Sequence, residues 1–131
     1  MSENKNETIG TVGWFDITVN NAEDLMKFYQ KVVGWKPEPV SMGKYNDYVM
    51  TQPENGTPVA GICHSIGGNA DLPKSWLMYI TVDDLEKSIT EVLISGGLVL
   101  TEIKKHGDLG LYCVIQDPSG GVVALYQNIQ E

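Results

Sequence analysis

The sequence predicts an α+β domain made of two tandem copies of one module, in which a strand and a helix are followed by three strands. Two observations predict this class. The chain repeats itself once with a period of about 63 residues, and each copy has an alternating segment followed by an amphipathic helical segment. A chain of 131 residues is also long enough to bury a core without disulfides or metals.

The repeat extends without gaps over two stretches. Residues 17–34 align with residues 80–97 at an offset of 63, and residues 48–61 align with residues 112–125 at an offset of 64. Together they contain ten identities in 32 positions, where ordinary composition gives about two. Two copies of this length indicate duplication of a supersecondary module rather than a solenoid.

Each copy opens with a two-faced strand and a capped helix. The expected caps are Asn20 or Asn21 in the first copy and Asp83 or Asp84 in the second. The expected apolar stripes are Leu25, Phe28, Tyr29 and Val32 in the first helix, and Leu85, Ile89, Val92 and Leu93 in the second. Gly34 and the pair Gly96-Gly97 are expected to end the two helices.

Three further strands are expected after each helix. They lie near residues 35–40, 45–52 and 57–64 in the first copy, and near 98–103, 110–116 and 121–127 in the second. The predicted organisation is a polar tail (1–10) and one domain (11–127), which consists of module one (11–64), a linker (65–74) and module two (75–127).

Composition excludes several classes of function. The net charge of −8, from 17 acidic and 9 basic residues, argues against a nucleic-acid partner, because nucleic acids attract basic surfaces. We see neither a secretory signal pattern nor an apolar run long enough to cross a membrane. The two cysteines, Cys63 and Cys113, are expected to be buried thiols. We therefore expect a cytoplasmic protein without a membrane partner.

Three stretches carry a resemblance to a known family: WFDITVNNAEDLMKFYQKVVGW (14–35), WLMYITVDD (76–84) and DPSGGVVALYQ (117–127). With them, the chain resembles the vicinal oxygen chelate superfamily, which includes glyoxalase I, extradiol dioxygenases and bleomycin-resistance proteins. The resemblance implies two βαβββ modules that form a cupped half-barrel sheet with the helices outside. It does not fix the function, because the superfamily hosts lyases, oxygenases, isomerases, epimerases and plain binding proteins.

In the metal-using members, the resemblance implies metal ligands on the first and fourth strands of each module. These positions fall on Trp14 and Leu77 for the first strands, and on Ala60 and Ala124 for the fourth. None of these side chains can bind a metal, and a shift of one residue in either direction brings in no donor. The sequence therefore predicts a site without a metal or another cofactor.

Alternation along the strands predicts which side chains share a face with these positions. They are Trp14, Asp16 and Thr18; Ala60, Ile62 and His64; Leu77, Tyr79 and Thr81; and Val122, Ala124 and Tyr126. The set is typical of an apolar small-molecule pocket with aromatic walls, although the same residues would also serve as sheet core. The predicted ligand-binding residues are Trp14, Asp16, Ala60, Ile62, His64, Leu77, Tyr79, Ala124 and Tyr126.

Asp16 is the one catalytic candidate. It lies between Phe15 and Ile17, where a buried carboxylate is costly without a partner. Tyr79, its equivalent in the second copy, is a candidate partner. Asp16 is interpreted as a general base or as an anchor for an amine or hydroxyl group of a ligand. The alternatives are a solvated residue at the mouth of the cup, or a residue bonded to a neighbouring backbone group.

The histidines and cysteines give weaker evidence of a functional role. His64 and His106 are interpreted as ordinary surface or capping residues, and Cys113 as a buried thiol rather than a nucleophile. The stretch KHGDLGLY (105–112) is a candidate mobile flap over the pocket.

Three functions follow as hypotheses. The first, which we favour, is a metal-free protein that binds a small, partly aromatic organic ligand. The second is a metal-independent lyase or isomerase that uses Asp16 for proton transfer, and the third is a metal-dependent lyase or dioxygenase. Because the repeat favours an internal two-fold axis, we also expect a symmetric homodimer.

Overall fold

A computed structural model describes residues 8–129, which contain nine strands, two α-helices and one turn of 3-10 helix. The first module contains β1 (Val12–Val19), α1 (Ala22–Val33), β2 (Lys36–Ser41), β3 (Asn46–Thr51) and β4 (Pro58–His64). The second contains β5 (Leu77–Thr81), α2 (Leu85–Ile94), β6 (Leu98–Val99), β7 (Lys104–His106), β8 (Gly110–Gln116) and β9 (Val122–Asn128). The 3-10 turn (Gly67–Asn69) lies between the modules. The α+β class is confirmed, and the predicted βαβββ order is observed in the first module, while the second module has the short strand β7 in addition.

The described part of the chain forms two compact units, one of residues 15–76 and one of residues 8–14 and 77–129. Most of the predicted tail (1–10) lies outside the described residues. Gly10 is described, and its N–H donates to the carbonyl oxygen of Thr81 at 2.8 Å. Neither helix of the described part of the chain is long and apolar enough to cross a membrane.

In the first unit, a sheet of order β2-β3-β4-β1 is covered on one face by α1. The strand β1 runs parallel to β4, and the other two pairings are antiparallel. The buried core under the helix consists of Ile17, Val19, Ala22, Met26, Tyr48, Met50 and Ile62. Gly34 ends α1 in the left-handed conformation, with φ of 84°, which glycine adopts without steric cost.

The predicted stripe of α1 is partly wrong. Leu25 and Tyr29 pack against the core as expected, but 53% of Phe28 and 63% of Val32 are exposed. Met26 occupies the core face instead, because Ala22 and Met26 lie one turn apart on the same side of the helix. The sequence contained too many apolar positions on α1 for one stripe to be chosen by spacing alone.

In the second unit, the strand order is β5-β9-β8-β6, and β7 pairs with β8 as a short hairpin. The strands β5 and β9 are parallel, and β8 is antiparallel to both β9 and β6. Leu85, Cys113, Ile115 and Leu125 form the buried core beneath α2, together with the partly buried Ile89 and Val92 of the helix. Leu93, assigned to the predicted stripe, is 59% exposed.

The strand predicted near 98–103 is only two residues long, because a side chain interrupts its ladder. The hydroxyl of Thr101 accepts a hydrogen bond from the backbone N–H of Val114 at 3.0 Å. This side-chain bond takes the place of the backbone partner that a continuing strand would need. The remaining strand predictions, near 35–40, 45–52, 57–64, 110–116 and 121–127, are confirmed to within one or two residues.

Candidate functional site

Each sheet has one face covered by its helix and one that the helix does not cover, here called the helix-free face. In the first unit, the parallel register pairs Asp16 with Gly61 and Thr18 with Cys63. Since paired residues on neighbouring strands point to the same side, these four positions lie on the helix-free face. This face therefore carries a carboxylate, a hydroxyl and a thiol around a glycine.

The placement of Ala60 and Ile62 beside Asp16 was wrong. Ile62 pairs with Ile17 and lies fully buried in the core beneath α1, and Ala60, two residues earlier, points to the same side. The offset of 64 displaced this strand by one residue, and a displacement of one residue moves every side chain to the opposite face. The register makes Gly61, at an offset of 63, the equivalent of Ala124.

Asp47 is the residue of this region that sequence reasoning missed. It is 9% exposed, and its Oδ1 atom accepts a hydrogen bond from the backbone N–H of His64 at 2.8 Å. The Nδ1 atom of His64 lies 3.4 Å from the same oxygen, and the His64 ring meets the edge of Tyr45 at a centroid distance of 5.0 Å. His64 is therefore held at the end of β4 by two neighbours.

Cys63 is a poor nucleophile in this setting. Burial raises the pKa of its thiol, and the carboxylates of Asp16 and Asp47 raise it further because they disfavour a thiolate. Burial alone raises the pKa of Cys113 to about 11. Both cysteines are free thiols, and both stay protonated at neutral pH. The first unit offers carboxylates for hydrogen bonding but no activated sulfur.

In the second unit, the register places Tyr79 beside Ala124 and Thr81 beside Tyr126. The alternation predicted along β5 and β9 is therefore observed. Leu77 and Ala124 are 1% and 0% exposed, while Trp14 is half-buried on β1. Whether these residues bind a ligand, and whether Asp16 pairs with Tyr79, stay predictions.

The same face carries three further side chains that the predicted ligand-binding set does not contain: Lys104, His106 and Tyr112. Tyr112 pairs with Tyr126 across β8 and β9 and with Lys104 across β7 and β8, and its ring lies 5.9 Å from that of Tyr79. His106, at the end of β7, contacts the hydroxyl of Tyr126 at 2.9 Å through Nδ1. The alternation of β8 could have identified Tyr112, but nothing in the sequence signals that β7 folds back onto β8.

The donor set does not fit the metal that the resemblance implies for catalytic relatives. The first-strand positions are Trp14 and Leu77, and the corrected fourth-strand positions are Gly61 and Ala124. None of these four residues has a side-chain atom that binds metal ions. Across residues 8–129, no three His, Cys, Asp or Glu side chains are grouped closely enough to hold a metal ion.

A concave feature lies on the flank of α2. It is a groove of about 610 Å³ whose floor includes Val82, Val92, Ile115 and Leu125 and whose rim includes Asp84, Lys87, Ser88 and Glu91. Its floor belongs to the core beneath the helix. It is separate from the helix-free face, because Ile115 and Leu125 point to the opposite side of the sheet from Val114 and Ala124.

Comparison with known proteins identifies the family. The family model described as "Glyoxalase/Bleomycin resistance protein/Dioxygenase superfamily" matches residues 11–125. A Mycobacterium tuberculosis protein named "Putative glyoxylase CFP32" is 32% identical over 123 residues, which are 90% of this chain and 46% of the relative. The chain thus spans about half the length of the curated relatives of that name.

Solved structures of low sequence identity share the fold. A glyoxalase/bleomycin resistance protein/dioxygenase superfamily member from Vibrio splendidus has a TM-score of 0.55 at 15% identity, covering 88% of this chain and 97% of its own. Glyoxalase I from Zea mays has a TM-score of 0.56 at 21% identity, covering 92% of this chain and 44% of its own. The chain belongs to the glyoxalase/bleomycin resistance protein/dioxygenase superfamily.

Proposed function

We propose that this chain binds a small, partly aromatic organic molecule on the helix-free faces of its sheets, without a metal. The observation that supports this proposal most strongly is the set of side chains on the helix-free face of the second unit. Antiparallel sheets commonly turn a polar face to water, but here the face carries the buried Tyr79, Val114, Ala124 and Tyr126, and the half-buried Tyr112 and His106 lie beside them. Tyrosine combines a flat apolar ring with a polar tip, which suits an aromatic ligand that also carries polar groups.

The helix-free face of the first unit, taken by itself, carries polar groups. Its helix-free face carries Asp16, and Asp47 lies beside Cys63 on the neighbouring strand. Ionised carboxylates accept hydrogen bonds and donate none. The face therefore favours ligands with hydroxyl, amine or ammonium groups over ligands whose only polar groups are anionic.

Native mass spectrometry of freshly purified protein tests both parts of the proposal. Zinc, iron, nickel and manganese are measured by elemental analysis on the same sample. We expect less than one tenth of a metal ion per chain, as an order-of-magnitude bound for a site without donor atoms, and retained organic molecules as extra mass that disappears on denaturation. Stoichiometric metal would contradict the proposal and favour a metal-dependent lyase or dioxygenase.

The second candidate is a metal-independent lyase or isomerase in which Asp16 moves a proton. It is favoured by the position of Asp16 within a strand, where its Oδ1 atom is buried, since burial tunes a carboxylate toward acid–base work. Asp16→Asn separates the two functions when assayed with the molecule found by mass spectrometry. Loss of turnover with affinity retained would establish the enzyme, whereas loss of affinity without any wild-type turnover would establish the binding protein.

Asp24→Asn is the matched control for this substitution. Asp24 lies in the exposed first turn of α1, so the change removes the same charge from the chain away from the helix-free face. We expect Asp24→Asn to bind and turn over like the wild type. The difference between the two variants then reports the position of the charge rather than its loss.

We also propose a symmetric homodimer in the cytoplasm. A duplicated module favours pairing of two copies about a two-fold axis, with the same surface contributed by each. Light scattering at micromolar concentration is expected to give twice the chain mass. A monomer under these conditions would count against the dimer, but not against ligand binding within one chain.

A further inference from the structure

The groove on the flank of α2 is a cavity that the proposed function does not use. Its volume of about 610 Å³ falls within the usual range of small-molecule sites. All of its lining residues belong to the second unit, so the groove is complete within that unit. It lies on the side of the sheet that α2 covers and is therefore a separate site from the helix-free face.

The apolar part of the groove is aliphatic. It consists of Ile9, Val82, Val92, Ile115 and Leu125. Ile115 and Leu125 are each 7% exposed and belong to the core beneath α2, so the floor of the groove is an edge of that core. An aliphatic floor stabilises an occupant by removing apolar surface from water, and it offers no ring on which an aromatic ligand could stack. The floor therefore suits an aliphatic chain.

The charged groups of the rim are distributed unevenly along α2. At the start of the helix, Lys87 lies one helical turn from Asp83 and Asp84, so charges of both signs meet there. At the other end, Glu91 lies in the last turn, and residues 91–94 contain no basic side chain. The partial negative charge of the helix C-terminus adds to that of the Glu91 carboxylate. This end of the groove therefore favours a cation.

A second copy of this chain is a poorer occupant for the groove. In a contact about a two-fold axis, each copy contributes the same surface. The lining carries three carboxylates (Asp83, Asp84 and Glu91) and the one ammonium group of Lys87, a net charge of −2 on each copy. Like charges that face each other oppose association. The charge of the rim therefore favours a small cation over a second copy.

We infer that the groove on the flank of α2 binds a small aliphatic molecule with an ammonium group. The aliphatic chain lies on the floor, and the ammonium group lies at the end that Glu91 and Ser95 line. The Glu91 carboxylate and the Ser95 hydroxyl oxygen both accept hydrogen bonds there. The inference goes beyond the proposed function, because it concerns the opposite side of the sheet and another class of ligand.

Three probes with the same linear chain test the inference: octylammonium, octan-1-ol and octanoate. NMR titrations of ¹⁵N-labelled protein are expected to show octylammonium shifting the amides of Val82, Ser88, Glu91 and Ser95. We expect octylammonium to bind about fivefold more tightly than octan-1-ol, the effect of one carboxylate and a helix terminus at an exposed site, and octanoate to bind most weakly. Equal affinities for octylammonium and octanoate would overturn the inference, as would shifts that leave the groove unchanged.

Glu91→Gln tests the position of the ammonium group. It is expected to weaken octylammonium binding by about threefold, the scale of one exposed ionic contact, and to leave the affinity for octan-1-ol unchanged. Glu86→Gln is the matched control, because Glu86 is exposed in the first turn of α2 and removes the same charge outside the lining of the groove. Equal losses in the two variants would show that only the total charge of the chain matters, and would overturn the inference.

Ser88→Phe tests the groove itself. Ser88 is half-buried in the wall that α2 contributes, and a ring there fills the space above the floor. We expect octylammonium binding to be lost, while Thr90→Phe, at an exposed position of the same helix outside the lining, binds like the wild type. Unchanged binding in Ser88→Phe would overturn the inference, as would a change from dimer to monomer by light scattering with no octylammonium shifts in the wild type. Binding of 2-naphthol to the helix-free face is expected to survive Ser88→Phe, so failure of this inference and failure of the proposed function are distinguishable.

Discussion

Gly110 is a residue at which the packing of the second unit leaves no room for a side chain. A methyl group there would meet the ring of Tyr126 at 2.3 Å and the carbonyl oxygen of Gln127 at 2.7 Å. The second contact is with backbone, which cannot turn aside as a side chain can. The position of Tyr126 therefore depends on the absence of a side chain one strand away.

We accordingly expect Gly110→Ala to lower the free energy of unfolding by about 1–3 kcal/mol, the usual cost of overpacking. Gly68→Ala is the control, because a Cβ there meets nothing within 4 Å. We expect it to change stability by less than about 0.5 kcal/mol. Urea unfolding of both variants measures the difference, and equal stabilities would contradict the packing described for Tyr126.

His106 is expected to make the free energy of unfolding fall as the pH falls. Burial lowers its pKa in the folded protein below the ordinary value of about 6.5. As the pH falls, the unfolded chain therefore takes up a proton first. The stability contributed by neutral His106 is complete above about pH 6.5 and is lost as the pH falls toward the folded pKa.

His106→Asn is expected to weaken the loss of stability between about pH 7 and pH 5, because asparagine does not titrate. Urea unfolding at several pH values measures this against the wild type. The other charged residues of the hairpin, Lys104, Lys105 and Asp108, are present in both proteins, as is His64. Parallel curves for the two proteins would show that His106 is not desolvated by folding.

At the scale of the elements, the two helices begin differently although a pair of short polar residues precedes each, Asn20-Asn21 before α1 and Asp83-Asp84 before α2. The Oδ1 atom of Asp84 accepts a hydrogen bond from the backbone N–H of Lys87 at 3.2 Å. Asn21, at the corresponding position before α1, makes no side-chain capping bond. The sequence predicted a cap at both helices, but whether the side chain turns toward the helix depends on the local backbone, which differs between the two copies.

This difference predicts that alanine substitutions at Asp84 and Asn21 lower the free energy of unfolding by different amounts. Asp84→Ala is expected to lower the free energy of unfolding by about 1 kcal/mol, the usual value of a side-chain cap. Asn21→Ala is expected to cost less than about 0.5 kcal/mol, as at an ordinary surface position. Thermal unfolding of the pair provides the comparison, and a larger loss for Asn21→Ala would contradict it.

The strands show how well alternation in the sequence predicts the face of the sheet on which each side chain lies. Alternation placed Tyr79, Ala124 and Tyr126 on one face correctly, since the register pairs Tyr79 with Ala124 and Thr81 with Tyr126. It failed for Ile62, because β4 is apolar on both faces and fits either register. A register that hydrophobicity leaves open is decided by pairing with other strands, which one strand's sequence does not contain.

At the scale of the whole molecule, the internal repeat predicted the fold better than it predicted the site. The repeat fixes the order of elements, which depends on many residues and tolerates an alignment error of one position. The helix-free faces depend on single residues, and some of these have no equivalent signal in the other copy. Asp47 is placed by its hydrogen bond to the backbone of His64, and His106 by the β7–β8 hairpin.

The central claim is that the helix-free faces bind the ligand, and an NMR titration of ¹⁵N-labelled protein with 2-naphthol tests it most directly. We predict that the largest amide shifts occur on the helix-free faces, at Tyr79, Tyr112, Ala124 and Tyr126 in the second unit and at Asp16 and Cys63 in the first. Shifts confined to the groove on the flank of α2, at Val82, Lys87, Ser88 and Glu91, would contradict the claim, as would a spectrum that does not change.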